Sequence, residues 1–222
     1  NSFVHRTELF GPILGVMLAE SLEHAVTLAN ETGYGLTAGI ETLDDREQEY
    51  WKANIVAGNL YVNRPTTGAI VLRQPFGGFG ASSIGAGIKA GGPDYVTQLM
   101  KFRTWLIDVT ADLKNMHNQE LAEFGTTLLE ARRSEIKATA KQIIIQALTS
   151  YDEYAHSEYN RVHDHFHLIG QDNIRRYLPV EDLVIRVTRR DEAYEIVLRM
   201  AAAHAVGEGG MLSHAAGVHE EL

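Results

Sequence analysis

Apolar residues recur at three- and four-residue steps from Ser21 to Glu31, where Leu22, Ala25, Val26, Leu28 and Ala29 fall on one helical face. Ser21 supplies an N-cap, Glu20 and Glu23 suit the positive end of the helix, and Gly33 marks its stop. The short run Leu36–Ile40 predicts a buried strand. Asp44-Asp45 predicts the start of a second helix carrying Tyr50, Trp51, Ile55 and Val56 on one face and ending at Gly58. Leu60–Val62 then predicts another strand. Helix, strand, helix and strand at this spacing indicate an α/β fold with a mostly parallel sheet and flanking helices. Ligands of such sheets sit outside the carboxyl ends of the strands, which here means Asn63 onward.

Residues 75–93 carry many of the chain's 20 glycines between Pro75 and Pro93. So many glycines predict a loop whose backbone approaches something closely. Tyr95–Ile107 reads as a strand segment with Val96, Leu99 and Trp105-Leu106-Ile107 as its apolar positions. The pattern changes after Asp108. From Ala111 to Tyr159 the residues Leu121, Phe124, Leu128, Ile136, Ile143, Ile144, Ala147 and Leu148 recur at helical steps, with Gly125 expected to separate two helices. Leu183–Val187 predicts a strand. Asp191 is expected to cap a helix through Tyr194, Ile196, Val197, Met200 and Ala203 that stops at Gly207. Three segments follow from these changes: 1–108, 109–165 and 166–222, the last reading as a truncated α/β unit.

Composition narrows the function classes. The net charge of −9 argues against nonspecific nucleic-acid and anionic-membrane binding, since both need a basic surface. No run approaches the roughly 18 apolar residues of a membrane span, and the chain opens without a charged-then-apolar leader. A cytoplasmic protein is expected. With Cys 0, disulfides and thiolate chemistry are excluded within these 222 residues.

Three local patterns invite a chemical reading and do not sustain it. His163, His165 and His167 could converge on zinc from a strand; at the end of a long polar helical region a solvated helix end or loop is expected, with no metal. Ser134-Glu135-Ile136-Lys137 mimics a serine–lysine pair but reads as a helical surface. Gly85-Ala86-Gly87-Ile88-Lys89-Ala90 fits a loose dinucleotide pattern, yet no hydrophobic strand precedes it, as that fingerprint requires.

A different, ordered set of motifs carries more weight. Glu8-Leu9-Phe10-Gly11-Pro12 places a carboxylate and an aromatic in a tight turn. It is followed by Asn59-Leu60-Tyr61-Val62-Asn63-Arg64, by Gln74-Pro75-Phe76-Gly77-Gly78-Phe79-Gly80, and by Lys89-Ala90-Gly91-Gly92-Pro93. From about Glu8 to Tyr95 this set resembles the C-terminal part of the catalytic domain of NAD-dependent aldehyde dehydrogenases. It is most similar to the glutamate semialdehyde (delta-1-pyrroline-5-carboxylate) dehydrogenases found in bifunctional proline-utilisation proteins.

The resemblance implies roles for individual residues. Glu8 would accept hydrogen bonds from the nicotinamide ribose of NAD, and Phe10 would lie against that end of the cofactor. In Thr66-Thr67-Gly68-Ala69, the Gly68 and Ala69 backbone N–H groups would hold the α-carboxylate of the small-molecule substrate, glutamate semialdehyde. Phe76 would pack on its aliphatic part. The strand expected near residue 100 would be a flap reaching a partner subunit, in a homo-oligomer, or a partner domain. Residues 166–222 would begin a degenerate, non-catalytic dehydrogenase-like module. The family's cysteine nucleophile lies upstream of the Glu-x-Phe-Gly-Pro turn, so the chain reads as a C-terminal fragment with no catalytic residue of its own. The rival reading is a non-catalytic scaffold or oligomerisation module that has kept the dehydrogenase fold.

Overall fold

The computed structural model describes residues 2–84, 88–103, 111–131, 137–179, 182–207 and 209–215, and its contacts divide the chain into units 1–102 and 103–222. In the first unit, a short helix α1 (Phe3–Arg6) is seated on the end of α2 (Leu22–Asn30). His5 Nε2 meets the Leu28 carbonyl at 2.9 Å, and Arg6 pairs with Glu31 at 3.1 Å. Ser21 caps α2 by accepting the His24 N–H at 3.2 Å, and Gly33 ends the turn at φ 73°.

Two strands follow, β1 (Tyr34–Gly35) and β2 (Thr37–Ile40), and then α3 (Asp45–Asn54), capped by Asp44. Helix α3 stops short of the expected Gly58. The Asn30 side chain donates to the Asn54 carbonyl at 2.9 Å and accepts from Val56 N–H at 2.9 Å, which draws the link after Asn54 into an extended path. Trp51 is therefore the buried residue of the α3 face, while Val56 is exposed. Strand β3 (Asn59–Val62) runs parallel to β2, with Thr37 opposite Asn59 and Ile40 opposite Val62. Strand β4 (Phe79–Gly80) pairs antiparallel with β1.

The strand expected over Tyr95–Ile107 does not form in its described part. Tyr95, Leu99 and Met100 N–H groups close turns on the carbonyls of Gly92, Val96 and Thr97, so they are used locally instead of pairing across a ladder. Thr97–Leu99 is a single 3₁₀ turn. Trp105-Leu106-Ile107 lie outside the described residues.

The second unit holds helices α4 (Gln119–Ala131), α5 (Ala138–Tyr154) and α6 (Ala193–Ala205), with strands β5 (Val184–Val187) and β6 (Met211–His214). The last three elements form a β–α–β unit, since β5 and β6 pair in parallel register on either side of α6 in sequence. Helix α5 runs on into a wider π turn, Ala155–Tyr159. Leu121 of α4, Ile144 and Leu148 of α5, and Leu198, Ala201 and Ala205 of α6 share one apolar core, in which Leu148 is 0% exposed.

Three local expectations from the sequence do not hold in this unit. Helix does not begin at Ala111. The buried Asp152 carboxylate of α5 accepts the N–H groups of His117 (2.6 Å) and Asn118 (2.8 Å), and Asn118 in turn caps α4 through Leu121 N–H at 3.0 Å. Gly125 does not separate two helices; it is buried inside α4. A Cβ there would lie 2.6 Å from Leu148 Cδ1 and 3.1 Å from Leu113 Cδ1, so the glycine serves close packing. The two helices part after Ala131, next to residues 132–136 outside the described set. Finally, α6 is capped one residue later than expected, by Glu192, which exchanges side-chain and backbone bonds with Glu195 in a capping box. Asp191 is taken up by Thr188 and by Arg199 at 2.8 Å.

Gly125→Val should overpack the α4–α5 contact and cost about 2 kcal/mol of stability, the usual range for forcing extra methyls into a filled core. Chemical denaturation followed by circular dichroism checks this. A midpoint equal to wild type would mean that Leu148 and Leu113 yield freely.

Candidate functional site

The glycine-rich loop begins from an unusual contact between two stretches of main chain. A Cβ on Gly58 would lie only 1.7 Å from the Gly77 carbonyl oxygen, so these backbones touch with no side chain between them. Gly78 is equally confined, its hypothetical Cβ 2.5 Å from Ser82 O and 2.9 Å from Gly35 O. The loop's close approach is therefore to its own chain.

Side chains then fasten this crossing. Asn59, buried at the start of β3, donates to Pro75 O and accepts from Gly77 N–H, both at 3.2 Å. Lys89 Nζ donates to Gly58 O at 2.5 Å and to Gly77 O at 2.7 Å. Between these anchors Phe76 and Ala90 exchange backbone bonds of 3.0 and 2.8 Å. The half-buried Phe76 thus sits on a turn held from both sides. Neither Asn59 nor Lys89 is among the candidate site residues drawn from the sequence. The signal available was weak: a polar residue opening a strand, and a lone lysine inside a glycine run with no acidic neighbour.

Burial draws the Lys89 ammonium down from its ordinary 10.5 to about 8. Its two carbonyl acceptors, and the Phe79 ring 5.5 Å away, favour the charged form, so Lys89 is a cation at neutral pH.

At the carboxyl ends of β2 and β3, Asn63 adopts φ 54° and clasps Thr42 through both amide atoms, each at 2.9 Å. The segment that follows contains Gly68 at φ 79°, exposed, with nothing within 4 Å of where a Cβ would stand. Ala69 beside it is half-buried. The Ile70 carbonyl then accepts from both Arg73 and Gln74 N–H at 2.8 Å, a tight turn leading directly into Pro75-Phe76. Gly68, Ala69 and Phe76 therefore lie on one continuous stretch pinned at its far end.

Glu8 and Phe10 stand apart from it. Among the described residues no hydrogen bond ties Glu8–Pro12 to Gly68, Ala69 or Phe76, and the Glu8 side chain has no hydrogen-bond or ion-pair partner. Phe10 is 96% exposed. An exposed carboxylate and an exposed ring on a single turn are available to an external ligand with vicinal hydroxyls and a flat face.

The remaining sequence patterns resolve differently. His163 is not on a helix end: it pairs antiparallel with Arg175, its ring meets Glu158 O at 2.9 Å, and it stacks on His165 at 5.5 Å. Glu158 is shared among Arg175, Tyr177 and His163, and its hydrogen bonds to Arg175 and Tyr177 pull its carboxyl below the usual range against the opposing cost of burial. His167 lies at φ 45°, and among the described residues no three metal-binding side chains converge. Gly85–Gly87 and Ser134–Ile136 lie outside the described residues; Lys137 flanks the start of α5. No helix of the described residues is long and apolar enough to cross a membrane.

The first unit, with its parallel strands, glycine crossing and exposed Glu-x-Phe-Gly-Pro turn, is similar to known proteins. Residues 1–105 match the family model described as aldehyde dehydrogenase family. Among curated relatives, the 1-pyrroline-5-carboxylate dehydrogenase of Bacillus cereus (strain B4264) is 44% identical over 99 residues, covering 45% of this chain and 19% of the relative. The Bacillus subtilis (strain 168) protein of the same name is 42% identical over 104 residues, covering 47% of this chain and 20% of the relative. Among solved structures, Proline Utilization A (PutA) from Corynebacterium freiburgense aligns over 96% of this chain and 20% of its own, with TM-score 0.74 and 35% identity. The chain thus spans about a fifth of the length of the relatives it matches.

The lowered Lys89 value fixes a direction for stability against pH. Between about 8 and 10.5 the unfolded chain holds a proton that the folded chain has lost, so this group makes stability rise with pH across that window and contributes no slope below it. Lys89→Met should remove that part of the rise. Denaturation midpoints of both proteins at steps from pH 7 to pH 10.5 test it, and parallel curves would refute the assignment.

Proposed function

We propose that this chain is the C-terminal part of the catalytic domain of an NAD-dependent glutamate semialdehyde (1-pyrroline-5-carboxylate) dehydrogenase, acting in the cytoplasm in proline degradation to glutamate. The observation that carries this reading is the 42–44% identity to dehydrogenases named for this substrate over the stretch that holds the motifs. The geometry of Gly68 supports it. A left-handed backbone with open space around it presents its N–H without a side chain in front, which suits a carboxylate.

In this reading the α-carboxylate of the substrate accepts from the Gly68 and Ala69 N–H groups, and Phe76 covers the aliphatic carbons. Glu8 accepts the two hydroxyls of the nicotinamide ribose, and Phe10 packs on the nicotinamide end; NAD, when bound, supplies the hydride acceptor. A chain without cysteine does not provide the thiolate that attacks the aldehyde, so the nucleophile belongs to a part of the enzyme outside these residues. The stretch near residue 100 serves as the flap toward a partner subunit or domain. Exposed Leu99 (82%) and Phe102 (79%) support that role. Residues 166–222 begin a degenerate dehydrogenase-like module, a reading supported by the likeness of nearly the whole chain to PutA.

Two measurements test the proposal. The purified chain should show no NAD reduction with glutamate semialdehyde, and turnover above background would overturn the division of labour. In the full enzyme, Glu8→Ala should slow hydride transfer and weaken cofactor binding by about 1.5–3 kcal/mol, the cost of a lost charge-assisted contact.

Gly68→Val adds a specificity test. Valine is strained at φ 79° and would crowd the anion. Its kcat/KM should fall far more for glutamate semialdehyde than for butanal. Equal losses would place the carboxylate anchor elsewhere.

A further inference from the structure

We propose that Lys89 is the positioning residue of the substrate-facing turn, holding Phe76 in place through the Gly58 and Gly77 carbonyls. This rests on the reading of Phe76 as the residue that covers the substrate's aliphatic carbons. Three observations support it independently of that reading.

First, the Lys89 ammonium touches both sides of the crossing, at 2.5 Å to Gly58 O and 2.7 Å to Gly77 O. Those two residues are also where the backbones meet without a side chain between them. Two carbonyl dipoles brought this close repel one another, and a shared cation offsets that repulsion. Second, Lys89 and Ala90 form one edge of the site. Ala90 pairs with Phe76 through two backbone bonds, so a shift of the lysine stem is transmitted directly to Phe76. Third, the other face of the turn is held by Asn59 through Pro75 O and Gly77 N–H. Asn59 fixes the turn to β3; Lys89 fixes it to the segment beyond the glycine loop. With Asn59 alone the turn would keep one hinge and lose the opposing anchor. Phe76 itself is only half-buried, so its own packing does not determine where the ring points.

The test has two arms. In the present chain, Lys89→Met should raise the amide exchange rates of Gly77 and Ala90 at least tenfold while leaving the amides of α4 and α5 unchanged. The Gly77 and Ala90 protection of Lys89→Gln, which keeps a shorter N–H donor, should fall between the two; it also stands in should Lys89→Met fail to fold. Unchanged exchange at both positions in either variant overturns the clamp.

In the full dehydrogenase, Phe76→Ala should raise KM for glutamate semialdehyde by about tenfold, the scale of one lost apolar pocket contact. Lys89→Met should raise KM in the same direction with little change in kcat. In the Phe76→Ala background, Lys89→Met should have no further effect on KM. Additive losses would show that Lys89 does not act through Phe76 and would overturn the inference while leaving the substrate role of Phe76 standing. No effect of Phe76→Ala, together with loosened exchange in Lys89→Met, would instead remove the substrate role and keep the clamp as a purely structural device.

Discussion

Direct contact between two main chains at Gly58 and Gly77 is the constraint on which the first unit turns. Any side chain at Gly58 would collide with the opposing carbonyl, so the strand entering the parallel pair and the turn carrying Phe76 are forced to share one position in space. Polar backbone groups thus come close together and are satisfied by partners within the chain. Asn59 and Lys89 provide those partners on opposite sides. The position of the turn that carries Phe76 follows from this crossing.

The second unit uses the same device for a different end. In α4 the missing side chain of Gly125 lets Leu148 and Leu113 come within packing distance of the helix backbone. Gly125 lowers helix propensity by roughly 1 kcal/mol relative to alanine, and the burial of Leu148 against it offsets that cost. Small residues of α6, among them Ala201 and Ala205, extend the same core, so the long helices and the β–α–β unit after them are held by one set of apolar contacts.

Much of the first unit was legible in the sequence because its signals are local. The Ser21 and Asp44 caps, the Gly33 stop and the β2 and β3 runs depend on neighbours a few residues away, and each appears close to where it was read. What was not legible depends on distant partners. The end of α3 is set by Asn30, the start of α4 by Asp152, and the lie of the glycine loop by Lys89. Gly125 was misread for the same reason: a glycine at a helix break and one at a tight helix contact look alike until the opposing leucine is in view. The candidate site divides in the same way. The turn with Glu8 and Phe10 and the segment with Gly68 and Ala69 announce themselves by residue type, whereas the residues that hold Phe76 do not.

The bond between Asp152 and the start of α4 bears on how the unit is assembled. Helix α4 has 13 residues, a length at which an isolated helix is marginal in water. Part of what steadies its first turn comes from a carboxylate that lies 34 and 35 positions later in sequence, near the end of α5. As the chain emerges during synthesis, α4 appears before that carboxylate exists. The contact that Asp152 makes with His117 and Asn118 can form only once α5 has been made and has folded back upon α4. The start of α4 and the end of α5 are thus joined by hydrogen bonds as well as by apolar packing, and each helix steadies the other.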